Sequence, residues 1–221
     1  ASVGQLSAGV AHEIGNPLAA IAGYVEILED DDLDADMRAD ILDRTGREVE
    51  RIRDTIRDLL DFSREDRDQD IQDVRVRECV DEAKRLVEAQ PRSRDVDLDI
   101  VLPDADIRVR GVESQLVQVL VNLLINAIDA VGDAGRVELT TDETAERVVV
   151  SVCDDGPGVA DEDLQKLFEP FYTTKDPGKG TGLGLAISLR IIKRFGGDIE
   201  VDSNPGEGTC FRVVLAPADE D

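Results

Sequence analysis

Residues 5–21 read Gln5-Leu-Ser-Ala-Gly-Val-Ala-His-Glu-Ile-Gly-Asn-Pro-Leu-Ala-Ala-Ile21, and they contain His12, the single histidine of the 221-residue chain. Apolar residues recur here at steps of three and four, which predicts a helix with one apolar stripe. The stripe is formed by Leu6, Val10, Ile14, Leu18, Ile21, Val25 and Leu28. His12 lies off this stripe, so we expect it on an exposed flank. Pro17 lacks the N–H that would bond the carbonyl oxygen of Glu13, so we expect the helix to bend or loosen there.

The next segment repeats the helical pattern and predicts a hairpin. An Asp-rich run at 30–34 supplies a turn and a helix N-cap, and helical spacing then continues to about residue 64. The apolar positions are Met37, Ile41, Leu42, Thr45, Val49, Ile52, Ile56, Leu59, Leu60 and Phe62. Two helices with one stripe each cannot close a core, so we predict that the hairpin, residues 1–66, forms a homodimeric four-helix bundle with a second copy. The charged run 67–73 is predicted to be a linker.

From residue 74 the chain alternates short β-rich runs with helices, which predicts a two-layer α/β sandwich with a mixed sheet over 74–217. The whole chain is therefore predicted to be an α+β protein. Strands are expected at 74–76, 96–102, 107–109, 135–141, 147–153, 199–202 and 209–215, and helices at 78–89, 113–131, 161–168 and 183–195.

The charge and the cysteines exclude several classes of protein. A net charge of −25 argues against nucleic acid as a partner, because phosphate backbones attract clustered Lys and Arg. The 20 Arg against 5 Lys, with repeated Asp runs, fit a salt-rich cytoplasm; a GC-rich genome with solvated acidic faces explains them equally well. Cys79, Cys153 and Cys210 have no paired spacing, so we expect neither a disulfide framework nor a zinc cluster, and a reducing cytoplasm.

The sequence contains no unbroken apolar run of about 18 residues and no basic-then-apolar leader, so we predict no membrane span in this chain. The chain begins inside a helical pattern. We therefore expect an excised, cytoplasmic portion of a longer protein, from which any sensing or membrane-anchoring part is missing.

Two polar blocks indicate a ligand site. Asn122 and Asn126 lie four residues apart in an apolar helix and share one face. Their amide oxygens can ligate Mg2+ beside phosphate oxygens, although amides that cross-link neighbouring backbone are equally compatible with the pattern. The block Asp154-Asp-Gly-Pro-Gly158 follows a buried strand. Its carboxylate can accept a hydrogen bond from an exocyclic amine such as that of adenine, but a plain turn would use the same residues.

A third block, Gly178-Lys-Gly-Thr-Gly-Leu-Gly-Leu185, runs directly into a helix. Glycines before a helix N-terminus offer N–H groups and a favourable dipole to an anion such as phosphate. Lys175 and Lys179, two of the five lysines, lie here. The block is not a nucleotide P-loop, because Gly-Lys is not followed by Ser or Thr. We predict a lid that closes over a nucleotide.

Together with Leu167-Phe-Glu-Pro-Phe-Tyr-Thr-Thr-Lys175 and Gly206-Glu-Gly-Thr-Cys-Phe211, these blocks resemble, in order and content, the ATP-binding domain of sensor histidine kinases. That domain belongs to the superfamily shared with gyrase, heat-shock chaperone and mismatch-repair ATPases. The opening motif His12-Glu-Ile-Gly-Asn-Pro17 resembles the phospho-acceptor motif on the dimerisation hairpin of the same kinases. It is most similar to the His-Glu-x-x-Asn-Pro type of nitrogen-regulatory sensors.

The resemblance implies ATP and Mg2+ as cofactors and assigns residue roles. Asn126 would ligate the metal, Asn122 would support the phosphates, and Asp154 would recognise the adenine amine. Gly156 and Gly158 would shape the adenine pocket. The other nucleotide-contacting residues would be Lys175, Lys179, Gly180, Thr181, Gly182, Leu183, Gly184 and Thr209. Asp129 departs from the family pattern, which favours a basic or amide residue there, so its role stays open.

The resemblance also gives the histidine a reaction. One imidazole nitrogen of His12 would attack phosphorus while Glu13 accepts the proton from the other nitrogen. Asn16, at i+4, shares a face with His12, and the family likeness implies that it orients water for dephosphorylation of a receiver aspartate. A zinc-protease motif is excluded, because residue 16 is Asn and the chain has no second histidine.

These assignments predict an ATP-dependent protein-histidine kinase that autophosphorylates His12, passes the phosphoryl group to a response regulator, and acts as a phosphatase towards that regulator. Two other classes stay open. One is an ATPase of the same superfamily that uses ATP for conformational switching. The other is a non-enzymatic dimer scaffold with a decayed site.

Overall fold

The computed structural model describes residues 3–30, 33–63, 70–90, 96–132, 135–175 and 180–218, and the side chains of these residues except 3–9, 11–13, 58 and 61–63. By Cα proximity the chain divides into two compact units. The first comprises Ala1–Glu65 with Glu169–Gly184, and the second Asp66–Phe168 with Leu185–Asp221. The domain boundaries expected from the sequence, 1–66 and 74–217, stay a prediction.

The first unit contains the predicted helical hairpin. Helix α1 spans Val3–Leu28 and continues as helix on both sides of Pro17, and α2 spans Ala35–Ser63. The N-cap of α2 is Asp34, whose Oδ1 accepts the N–H of Met37 at 2.8 Å. The Asp-rich run 30–34 predicted this cap. Among the side chains of the two helices that the structure describes, eight large apolar ones are exposed: Leu18, Val25, Ile27, Met37, Leu42, Val49, Ile56 and Leu60.

The second unit combines strands and helices in the predicted order. Its elements are β1 Gln72–Arg75, α3 Val76–Glu88, β2 Asp97–Val101, β3 Arg108–Gly111, α4 Glu113–Val131, β4 Arg136–Glu143, β5 Val148–Asp154, α5 Asp161–Leu164, α6 Gly184–Arg194, β6 Asp198–Asn204 and β7 Gly208–Leu215. The first residue of α6, Gly184, is the last residue of the first unit. The five-stranded sheet has the order β2-β4-β5-β7-β6; β2 and β4 are parallel and the other pairs antiparallel. Strands β1 and β3 form a separate antiparallel pair. The predicted α+β class with a mixed sheet is confirmed.

Alternation along β5 sets the position of the site. Val148, Val150 and Val152 are fully buried on one face of the sheet, because successive side chains of a strand point to opposite faces. Asp154 ends the strand on that same buried face. Helix α4 packs against β4 and β5 and buries nine of its residues. The carboxylate of Asp154 is therefore at the end of the core, beside α4.

One helix in the described part of the chain, α4, has the length and apolar composition of a membrane span. Half of its most apolar window is buried within the structure, and the core helix of a soluble domain passes the same test. Its polar residues include Asn122 and Asn126, so it is not an unbroken apolar run.

The structure corrects the expectation that no disulfide is present. Cys153 in β5 and Cys210 in β7 are register partners and are joined by a disulfide, although 57 residues separate them in sequence. Sequence spacing gave no sign of the pair, because only the antiparallel register of β5 and β7 brings the two residues together. Cys79 is a free, buried thiol.

Candidate functional site

The asparagine block forms a polar stripe on α4. Asn122, Asn126 and Ala130 follow each other at four-residue steps and so lie on one face of the helix. Both asparagines are half-buried. The Asn122 amide nitrogen donates to Ser188 Oγ at 2.9 Å, and Ser188 is only 1% exposed. This contact fixes the orientation of the Asn122 amide against α6.

Asp154 is a buried carboxylate held by backbone donors. It is 9% exposed, and its Oδ1 accepts the N–H of Gly156 at 2.9 Å. Burial raises the pKa of the Asp154 carboxyl above its ordinary value and the nearby charge of Asp155 adds to that, while the N–H groups of Gly156 and Thr209 act in the opposite direction. A carboxylate in this setting gains from a hydrogen-bond donor supplied by a ligand.

The neighbouring carboxylate has a different role. Asp155 is exposed, and its Oδ1 accepts the N–H of Arg136 at 2.8 Å, at the start of β4. Asp155 thus links the chain after β5 to the start of β4, whereas Asp154 lies on the core face of the sheet. The structure separates the two aspartates that the sequence places side by side.

The loop after β5 is packed tightly between β6, the β6–β7 turn and α4. Gly158 has φ +70°, and a Cβ there would overlap the carbonyl oxygen of Asn204, so only glycine fits without displacing backbone. The N–H of Gly206 donates to Pro157 O at 2.7 Å. On the other side, a Cβ on Gly156 would lie 3.1 Å from Ala130, the last residue of the polar stripe. The stripe on α4 therefore ends at the Asp154 loop.

Thr209 faces Asp154 across the β5–β7 ladder, of which their pair is the last rung. The Thr209 hydroxyl lies 2.9 Å from Ser203 Oγ and is buried. Ser203 Oγ also accepts the N–H of Val159 at 2.8 Å. Thr209 thus belongs to the network that ties the Asp154 loop to β6.

Within the first unit, the glycine block contacts Phe171, which belongs to the segment Leu167–Lys175 quoted above. The N–H of Phe171 donates to the carbonyl oxygen of Gly182 at 2.9 Å. Within the block, the N–H of Leu183 donates to Thr181 Oγ1 at 3.3 Å, and α6 begins at Gly184. Gly180 follows directly after a gap in the described chain. Its nearest side-chain neighbours are Lys175 and Thr173.

Three predicted site residues, and residues 67–69 of the predicted linker, lie in parts of the chain that the structure does not describe. Lys179 lies outside the described residues, and the side chains of His12 and Glu13 do so as well. The backbone of both residues is helical within α1, and Asn16 is exposed one turn further on. The predicted roles of His12, Glu13 and Lys179 stay predictions.

Ser188 is a site residue that the sequence did not reveal. It is 66 residues from Asn122, and a serine within an apolar helix carries no spacing signal. A second hydrogen bond, from Arg194 Nη1 to Gln115 Oε1 at 3.2 Å, joins the opposite ends of the same two helices. The antiparallel contact of α4 and α6 therefore includes the polar stripe.

A metal ion at this site would rely on few protein ligands. Within the described ranges, no group of three or more His, Cys, Asp or Glu side chains could hold a metal. An amide oxygen on the stripe suits Mg2+, which usually retains waters and is held through one or two protein ligands plus substrate phosphates. Asn126 fits that pattern.

The second unit is an α/β unit with a polar stripe on a core helix and a buried carboxylate at a strand end, and the first unit contains a helical hairpin. Two family models match the chain. "Histidine kinase-, DNA gyrase B-, and HSP90-like ATPase" matches residues 111–219, and "His Kinase A (phospho-acceptor) domain" matches residues 2–68. The chain belongs to the sensor histidine kinase family and comprises its catalytic core. The predicted family is thus confirmed, and the likeness to nitrogen-regulatory sensors stays a prediction.

Known relatives agree with this assignment. The signal transduction histidine-protein kinase AtoS of Escherichia coli is 38% identical over 97% of this chain and 35% of its own length. The catalytic domain of histidine kinase ThkA is 34% identical with a TM-score of 0.60, covering 67% of this chain and 96% of that domain. ThkA in complex with the response regulator protein TrrA gives a TM-score of 0.83 at 29% identity, over 98% of this chain and 62% of that one. The chain spans between about a third and a half of the length of the curated relatives that it matches.

Proposed function

We propose that this chain is the core of a two-component kinase that uses ATP to phosphorylate His12 and then passes the phosphoryl group to an aspartate of a receiver domain. The observation that carries the proposal is the stripe Asn122–Asn126–Ala130, which ends at the buried carboxylate of Asp154. The crystal structure of ThkA in complex with a response regulator supports the choice of partner.

The polar stripe on α4 indicates how a bound nucleotide would be oriented. Adenine would lie at Asp154, whose carboxylate accepts the exocyclic amine, and the phosphates would lie towards Asn126 and Asn122. Asn122 and Ala130 are eight positions apart, which corresponds to about 12 Å of helix, a length that an extended nucleoside triphosphate can span. Ser188 lies one turn into α6, so the first-turn N–H groups of that helix are close to the phosphate end.

Mg2+ would neutralise charge on the phosphates, and Asn126 is the protein ligand that we propose for it. The glycine block, Gly180 to Gly184 with Thr181 and Leu183, would close over the phosphates. Lys175 and Lys179 would supply positive charge to the same group in a chain of net charge −25. We expect positioning and charge neutralisation to provide most of the rate enhancement.

In the transfer step, one nitrogen of His12 forms a bond to the γ-phosphorus, and the bond from that phosphorus to the bridging oxygen of ADP breaks. Glu13 accepts the proton from the other ring nitrogen, so the imidazole ring remains neutral. Asn16 is exposed on the same helix face and would orient the water that hydrolyses the regulator's aspartyl phosphate. ATP and receiver are cytoplasmic reactants, so we assign this part of the protein to the cytoplasm.

The proposal is tested by incubating the chain with γ-labelled ATP. His12→Gln should abolish incorporation of label, while binding of a fluorescent ATP analogue stays within about twofold. Label on the unsubstituted protein should be lost in acid and retained in base, as expected for a phosphorus–nitrogen bond. Asn16→Ala in the same preparation should slow dephosphorylation of the regulator more than autophosphorylation.

Three results would contradict the proposal. Acid-labile label retained by His12→Gln would remove the assigned nucleophile. ATP hydrolysis without protein labelling would favour an ATPase that uses nucleotide for conformational switching. Absence of nucleotide binding would favour a scaffold with a decayed site.

A further inference from the structure

The disulfide between Cys153 and Cys210 lies directly beside the proposed nucleotide site. Its Cα atoms are 4.0 Å apart on the rung next to Asp154 and Thr209, which form the last rung of the β5–β7 ladder. Because side chains alternate along a strand, the sulfur atoms lie on the opposite face of the sheet from Asp154. Both cysteines are half-buried, in contrast to Val152 and Val213 on the core face.

The rung that the disulfide adjoins carries the adenine-recognition residue. The hydrogen bond from the backbone N–H of Thr209 lowers the pKa of the Asp154 carboxyl and so stabilises its charged form. Gly208 approaches the Asp154 carbonyl so closely that a Cβ there would overlap its oxygen. The position of the Asp154 carboxylate therefore depends on how firmly the end of β7 is held against β5.

We infer that Cys153 and Cys210 form a reversible redox site that controls nucleotide affinity, with the disulfide form binding nucleotide more tightly. The end rung of a ladder frays more readily than its centre, and a covalent link one residue away opposes that fraying. The oxidised form is thus preorganised for the ligand. Reduction allows the Asp154–Thr209 rung to fray again. The coupling rests on the proposed nucleotide site.

The co-reactant is a dithiol. Its thiolate attacks one sulfur of the pair, the sulfur–sulfur bond breaks, and a mixed disulfide forms. The second thiol of the reductant then closes its own disulfide, and two electrons and two protons remain on the thiols of Cys153 and Cys210. Exchange in the reverse direction with an oxidised dithiol re-forms the bond.

Cys79 provides an internal control for the thiol count. It is fully buried in α3, and burial raises the pKa of its thiol to about 12, with Glu113 and Glu78 adding to the effect. A neutral, buried thiol reacts slowly with alkylating agents. Iodoacetamide should therefore label the native oxidised chain at no cysteine and the native reduced chain at two.

The coupling is tested by titrating a fluorescent ATP analogue into the oxidised protein and into the same protein after treatment with dithiothreitol. We expect the oxidised form to bind about threefold or more tightly. The double variant Cys153→Ser, Cys210→Ser should bind like the reduced protein and ignore the reductant. As a matched control, Ser151→Cys with Arg212→Cys in that background links the same strands two residues further from Asp154, at a rung of the same kind. Its oxidation should change affinity much less.

The outcomes separate the parts of the inference. Two labelled cysteines in the air-oxidised native chain would overturn the disulfide. Equal affinity of the oxidised and reduced forms, with the expected thiol counts, would overturn the coupling and leave the nucleotide site intact. No binding in either form would overturn the proposed nucleotide site, and the coupling with it.

Discussion

Asp154 and Asp155 are adjacent in the sequence, but their side chains lie in different environments. Asp154 is the last residue of β5 and lies on the core face of the sheet, whereas Asp155 follows the strand and is exposed. Asp155 then holds the N–H of Arg136, while Asp154 is buried beside α4. Resemblance to the kinase family selected Asp154, and the burial of its carboxylate gives the physical reason for that choice.

Asp154→Asn should weaken ATP binding by about tenfold or more without lowering the free energy of unfolding. The amide oxygen can still accept the N–H of Gly156, but the amide nitrogen would then face the adenine amine as a second donor, at a cost of about 1–3 kcal/mol. The pKa of the buried Asp154 carboxyl is raised, so its charged form destabilises the folded state at neutral pH. Removing that charge relieves the cost. A nucleotide titration and a urea denaturation curve measure the two effects.

The same raised pKa predicts a pH dependence. As the pH falls through the folded-state pKa of Asp154, protonation removes the destabilisation of the folded state by the buried charge. Nucleotide affinity should decline in the same range, at a pH above the ordinary aspartate range. Asp154→Asn should lack this step in affinity. Asp155→Asn is the matched control: it should keep the affinity and the step, with the step moved to lower pH because the charge of Asp155 no longer raises the pKa of Asp154. A pH profile that is the same in all three proteins would contradict the role of Asp154.

At the scale of elements, the periodicity of the sequence located most helices and strands within one or two residues. Helix α4 was predicted at 113–131 and is found there, because its core-facing repeat is long and regular. The short helix predicted at 161–168 ends at Leu164 instead. No residue of that helix is buried, so little packing energy supports a longer one, and Pro170 disfavours helix just before it.

The contact of α4 with α6 predicts a specific effect of Ser188. Ser188→Ala would leave the Asn122 amide without its buried acceptor, and a lost hydrogen bond of about 1 kcal/mol should weaken ATP binding roughly fivefold. Asn122 lies at the phosphate end of the proposed site, so the affinity for adenosine should change little. Ser114→Ala, in the exposed first turn of α4, should leave both affinities unchanged. An equal loss for ATP and adenosine would indicate a general structural role for Ser188.

At the scale of the whole molecule, the sequence could not predict the contacts that depend on strand order. The order β2-β4-β5-β7-β6 places Cys210 against Cys153 and Thr209 against Asp154 across 55 or more residues of chain. Local periodicity carries no information about which strands are neighbours. The disulfide and the Asp154–Thr209 rung therefore required the structure, whereas the asparagine stripe needed only the helical repeat.

The helical hairpin has a surface that its own two helices do not cover. Leu42, Val49 and Ile56 are 56%, 47% and 42% exposed and follow each other at seven-residue steps on α2. Ion pairs on the same helix, such as Arg44–Asp40 and Arg53–Glu50, are exposed and contribute little to stability. Burial of the apolar seam by a second copy would supply the missing stabilisation.

Val49→Glu should therefore convert the predicted homodimer into a monomer. The substitution places a charge in the centre of the seam, where pairing of two copies would bring two carboxylates together and bury them. Light scattering should report half the mass of the unsubstituted protein, with a lower helical signal in circular dichroism, because an unpaired hairpin is marginally stable. Arg57→Glu, at a 66% exposed position on the same helix, changes the charge further and should remain dimeric. A Val49→Glu protein of full dimer mass would refute the seam as the dimer interface, and a monomeric unsubstituted protein would refute the homodimer itself.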